Sequence, residues 1–130
     1  FDEIRLLTNF QLDDQNLLSV VLMGQPELRK RLAHRAYEPL RQRIGLSYDL
    51  LPLNVEETGE YLEFRWHVAG GSGNLFTQEA IQEIYNYSGG IPRKINHAAA
   101  LAILEGFGRE TRTVDEQVIR SILPELALTS

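Results

Sequence analysis

Three arginines stand where residue type and spacing could do chemistry. Arg93 follows Gly89-Gly90-Ile91-Pro92, a run that predicts a glycine turn and then a proline in the first turn of a helix. It falls roughly opposite the apolar positions Ile95 and Ala98, so it need not enter the core of that helix's packing. Arg41 and Arg43 flank Gln42 in Leu40-Arg41-Gln42-Arg43-Ile44-Gly45. A guanidinium keeps its charge and presents a planar fork of donors that matches phosphate or carboxylate. Both motifs also admit plainer readings. One is a surface arginine behind a helix-starting proline; the other is a pair of solvated cations near a helix C-terminus, where positive charge is favoured.

The elements that must position these groups are legible in outline. Phe1, Ile4, Leu7 and Phe10 have helical spacing, and residues 11–16 read as a polar loop. Leu17 to Met23 is an apolar run broken only by Ser19, which predicts a strand buried on both faces. Pro26 suits the start of a helix through Leu28 and Leu32, and another short helix is predicted over 36–41. Leu46, Tyr48 and Leu50 alternate with polar residues and predict a second strand. Beyond Pro52 the pattern turns helical. Asn54 with Glu57 forms a capping-box signature ahead of a broad face of Tyr61, Leu62, Phe64, Trp66, Val68 and Ala69, with Trp66 as a core anchor. Thr77 predicts the next cap, with Phe76 and Ile81 as a hydrophobic staple. Pro92 opens a helix with a slim Ile95, Ala98, Ala102 stripe, ended by Gly106 and Gly108. Thr113 and Glu116 suggest a last capping box before Val118 and Ile122. The fold class expected is therefore mostly α: residues 1–52 as an α/β piece with two strands, and 53–130 as a four-helix module.

Composition narrows the function classes. With 130 residues, 24% charged and 43% hydrophobic, the chain has the make-up of a globular protein. No apolar run approaches the roughly 20 residues that cross a bilayer. The absence of cysteine excludes disulfides and thiolate metal sites. His34, His67 and His97 lack close metal-ligand spacing, and no G-x-S-x-G elbow is present. A net charge of -5 argues against a dedicated nucleic-acid surface. Tyr85 and Tyr87 are read as packing residues rather than base-stacking platforms. Only Lys30 and Lys94 are lysines among 13 basic residues, so the cationic chemistry is mainly guanidinium chemistry. A chain that opens on Phe1 without a leader is expected to be part of a longer protein.

Gly90-Ile91-Pro92-Arg93 resembles the sensor-2 motif in the helical lid of AAA+ ATPases. "GQPEL", "LRQRIG" and "SGGIPRKIN" together resemble ATPases of the general secretion pathway protein A type, and "EIRLLTNF" is similar to the helix after their Walker B strand. The resemblance covers nearly the whole chain. It implies that Arg93, presented by Ile91 and Pro92, contacts the γ-phosphate of ATP and reports hydrolysis through the lid. It implies that Arg43, or else Arg41, is an arginine finger acting on the nucleotide of an adjacent subunit. It also implies that Gln25 lies at the end of the sensor-1 strand and orients the attacking water, although many AAA+ proteins have Asn or Thr there and Gln25 also reads as a turn residue before Pro26.

The first half of such an ATPase is missing from this sequence. No Gly-Lys pair exists to form a Walker A loop, and neither Asp13-Asp14 nor Asp115-Glu116 ends an apolar strand as Walker B would. ATP and Mg²⁺ are thus expected in a longer parent, with neither cofactor expected for this chain alone. The resemblance implies self-association into an AAA+ oligomer, a membrane-anchored secretion or envelope partner, and a cytoplasmic ATPase layer at the inner membrane. Two other readings stay open: an AAA+ regulator of DNA transactions (transposition or RuvB-like), and a non-catalytic helical adaptor. The strand at 17–23, without its usual neighbours, is expected to pair with another chain, stay exposed or rearrange.

Overall fold

The computed structural model describes residues 11–12, 15–16 and 19–129. The chain divides between Asp49 and Leu50 into two units. The first carries β1 (Gln11–Leu12) and β2 (Gln15–Asn16), α1 (Pro26–Leu32), a 3₁₀ turn (Arg35–Tyr37) and α2 (Glu38–Arg41). The second carries α3 (Val55–Val68), α4 (Gln78–Ser88), α5 (Pro92–Gly108) and α6 (Glu116–Thr129). The fold is mostly helical.

Each helix of the second unit starts where local chemistry dictates. Asn54 Oδ1 accepts from the Glu57 amide at 2.8 Å while Glu57 Oε1 accepts from the Asn54 amide at 3.0 Å, closing the capping box of α3. Thr77 Oγ1 accepts from the Ala80 amide at 3.1 Å and caps α4. Pro92 occupies the first turn of α5. The core joins all four helices: Leu62 from α3, Ile84 from α4, Ile95, Ala98 and Ala102 from α5, and Val118, Ile119, Ile122 and Leu126 from α6. Ala98 and Ala102 are fully buried, and such small side chains let neighbouring helices approach the α5 axis closely. Each large aliphatic side chain in this core is worth about 1.5–3 kcal/mol relative to exposure. A parallel bridge between Phe76 and Val114 ties the segment before α4 to the segment before α6.

Several expectations need correction. The predicted strand at 17–23 begins outside the described residues, and its described part, 19–23, forms no ladder; Val20, Val21 and Met23 are exposed. The strand expected at 46–50 is likewise irregular, with Leu46, Tyr48 and Leu50 exposed. A strand buried on both faces needs hydrogen-bonded neighbours, and none is supplied among the described residues. The only ladder described is the two-residue antiparallel pairing of Gln11 with Asn16 and Leu12 with Gln15, inside the expected loop. The opening helix predicted from Phe1 to Phe10 lies outside the described residues.

On α3 the broad apolar face is narrower than its composition suggests. Thr58 and Leu62 are its buried residues, whereas Phe64 and Val68 are exposed. Trp66 is not a core anchor. Its ring lies over Gly71, where an added Cβ would sit 2.0 Å from Cε2, and its Nε1 donates to the Ser72 carbonyl at 3.3 Å. It therefore fastens the glycine loop after α3. The last helix is capped by Asp115 rather than Thr113: Asp115 Oδ1 accepts from the Val118 amide at 3.0 Å. Gly106 lies inside α5 and is buried, so it does not terminate that helix.

Candidate functional site

The turn before α5 is built by two glycines and one buried serine. Gly89 (φ 60°) and Gly90 (φ 79°) both adopt the left-handed region, and the Ile91 amide donates to the Ser88 carbonyl at 3.1 Å. Two successive positive φ angles at the centre of a four-residue turn are what a type I′ turn requires. Ser88 Oγ, itself buried, accepts from the Gly90 amide at 3.2 Å. The Leu53 amide donates to the Gly90 carbonyl at 2.9 Å, and a Cβ on Gly90 would lie 1.8 Å from the Leu53 carbonyl oxygen. Gly90 is thus required twice, by its dihedral and by the backbone that lies against it.

This turn delivers the N-terminus of α5. Ile91 is its N-cap and offers no side-chain hydrogen bond, and no acidic residue occupies the first turn. Arg93 and Lys94 are exposed and make no ion pair among the described residues. A positive helix end with two uncompensated cations favours an anion electrostatically. Two turn-side contacts fix this end in place. They are the Leu53–Gly90 bond and the bond from Tyr61 Oη to Asn96 Oδ1 at 2.8 Å, which joins α3 to α5. The paired glycines signal the turn in the sequence. The roles of Leu53, Tyr61 and Asn96 have no local signature, because each partner lies more than 30 residues away.

The other arginines belong to the first unit and differ in role. Arg41 is half-buried, and its Nη1 donates to the Leu32 carbonyl and, at 2.9 Å, to the His34 carbonyl. It therefore holds α2 against the C-terminal end of α1. His34 completes the corner by accepting the Ala36 amide on Nδ1 at 3.1 Å. Arg43 follows α2 on the surface, with its amide bonded to the Leu40 carbonyl at 3.0 Å and no side-chain bond among the described residues. Gln25 is the exposed N-cap of α1 and contributes no side-chain cap. Nearby, Arg29 pairs with Asp49 at 2.8 Å on the surface. No group of three or more His, Asp or Glu among the described residues converges to hold a metal ion. No helix among them is long and apolar enough to cross a membrane.

Over 113 residues the sequence is 42% identical to General secretion pathway protein A of Aeromonas hydrophila, a match covering 87% of this chain. Over this stretch the chain is similar to general secretion pathway protein A. It spans only 21% of that protein's length. A weaker similarity, 27% over 112 residues, joins 83% of the chain to 27% of an uncharacterised HTH-type transcriptional regulator of Methanocaldococcus jannaschii. No protein-family model and no solved structure matches the chain.

Proposed function

We propose that this chain is the nucleotide-sensing C-terminal part of an AAA+ ATPase that serves a bacterial secretion or envelope complex. The observation that supports it most is the anchored Gly89-Gly90-Ile91-Pro92 turn, which presents Arg93 at a helix N-terminus with no carboxylate paired to it among the described residues. The secretion role rests on the name of the Aeromonas relative. In this reading Arg93 binds the terminal phosphate of ATP, and Ile91 and Pro92 set its position. Arg43 is the arginine finger offered to a neighbouring subunit. Arg41 is the weaker choice, because its guanidinium already satisfies two backbone carbonyls. Gln25 sits at a turn where its free amide is open to a water or phosphate oxygen.

The residues present fit one side of a nucleotide. They supply cations and a helix end for phosphate oxygens, while the Mg²⁺ ligands and phosphate loop belong to the rest of the parent. Bound Mg²⁺ neutralises charge between the phosphates during transfer. The parent assembles as an oligomer, in the cytoplasm at the inner membrane, with a membrane-anchored partner.

The test is ATP turnover by the full-length parent. Arg43→Ala should abolish most hydrolysis, by about 10³-fold. Mixing it with a parent that lacks the phosphate-loop lysine should restore part of the rate, because the finger and the nucleotide then come from different chains. Full activity of the Arg43→Ala parent, or no rescue on mixing, would remove the finger assignment. The regulator similarity favours a second reading, in which the parent acts on DNA. A steep fall of DNA affinity with salt would support it.

A further inference from the structure

The faces of α3 and α5 that meet at Tyr61 and Asn96 continue beyond that contact as exposed apolar surface. Phe64 and Val68 follow Tyr61 at three and seven residues, and Ile103 and Phe107 follow Asn96 at seven and eleven, so each set stays on one side of its helix. Phe64 is 65% exposed, Val68 69%, Ile103 40% and Phe107 82%. The two helices start together, at the Leu53–Gly90 bond, and meet again at Tyr61 and Asn96. Each helix thus carries an exposed apolar row of the kind against which another helix packs. Clustered apolar exposure of this kind marks an interaction surface rather than scattered surface residues.

Charge decides what fits. Glu56, Glu60 and Glu63 lie at helical spacing along α3, exposed and without an ion pair among the described residues. Glu57 also faces solvent, and Arg65 is the one arginine or lysine on the helix. The α3 side of this face is therefore acidic and attracts a basic ligand, while the exposed cations Arg93 and Lys94 stand at the far, N-terminal end of α5 from Phe107. We propose that the α3–α5 face docks an amphipathic helix of a partner protein, apolar on one side and rich in lysine or arginine along one edge. The occupant is set by the two properties together: apolar rows for its buried side and carboxylates for its charged edge.

The experiment uses this 130-residue chain and synthetic amphipathic helices made of leucine and lysine, or of leucine and glutamate. Amide NMR signals are followed during titration at low and high salt. The leucine–lysine peptide should shift signals of α3 and α5 around Phe64, Val68, Ile103 and Phe107, more weakly as salt rises. Phe107→Ser and the double change Glu60→Lys with Glu63→Lys should each weaken binding about tenfold. All three positions are exposed, so the variants are expected to fold, and unchanged spectra in α4 and α6 check that. Equal binding of the glutamate peptide, or shifts confined to other helices, would overturn the proposal. So would self-association of the chain that Phe107→Ser abolishes, because the face would then belong to a second copy.

Discussion

The two arginine-bearing segments are held by different physics. The turn that presents Arg93 is clamped from both sides by its own unit: Leu53 lies against Gly90, and Ile95 and Ala98 are fully buried one turn later. The corner that carries Arg43 has one buried residue, Leu40, and depends on a polar clamp from Arg41 to two carbonyls. A close-packed apolar anchor resists small displacements because interiors have little free volume. A guanidinium clamp at a half-exposed corner is softer, because water competes for every bond it makes. Arg93 is therefore fixed by the chain itself, whereas Arg43 sits on the part more easily adjusted by contacts from outside.

The largest expected effect tests the first half of that contrast. Gly90→Ala would force a side chain into the Leu53 carbonyl at a positive φ, and should cost roughly 4 kcal/mol in denaturant unfolding of the second unit. Gly89→Ala, one residue earlier, meets open space and should cost only the left-handed dihedral, about 1 kcal/mol. Similar losses at the two positions would show that the Leu53 contact is not what fixes the turn.

A smaller effect tests the corner. Arg41→Met keeps much of the apolar stem and removes the donors, and should loosen the first unit by about 1–2 kcal/mol. Hydrogen exchange should speed at Ala33 and Gln42 while α4 and α6 keep their protection. Loss of protection throughout the second unit would contradict the separation of the two anchors.

Helix termination offers a control on the backbone argument. The ends of α3 and α5 share one hydrogen-bond pattern. The Gly71 amide reaches the Trp66 carbonyl at 2.9 Å and the Thr111 amide reaches the Gly106 carbonyl at 3.0 Å. The left-handed residue is Gly70 in the first case and Glu110, at φ 57°, in the second. Glu110→Gly should therefore raise stability by about 1 kcal/mol in thermal unfolding. The surface pair of Arg120 with Glu83 should matter least, with Arg120→Ala changing stability by less than about 1 kcal/mol.

These contrasts also explain what the sequence made legible. Caps and breakers act within a few residues, so Asn54 with Glu57, Thr77, Gly89 and Pro92 mark their helix ends directly. The Ile95, Ala98, Ala102 stripe is likewise local, because periodicity alone selects the buried side. The failures lie where tertiary context decides. Phe64, Val68 and Trp66 look like core by residue type, yet burial depends on a neighbour at the right height, and α3 is covered only around Thr58 and Leu62. The two predicted strands fail for a related reason: alternation describes a strand's faces but cannot supply its partners. Of the site, the arginines and the glycine turn were visible, while the Leu53 brace, the Tyr61–Asn96 bond and the structural use of Arg41 required the fold.

Under the proposed function, Arg93 is presented to an anion rather than used to hold the second unit together. The most direct measurement pairs unfolding with ATP turnover for Arg93→Ala in the full-length parent. Stability should stay within about 0.5 kcal/mol of the unchanged protein, and hydrolysis should slow about 100-fold or more. Turnover at the unchanged rate, or a loss explained by unfolding, would contradict it.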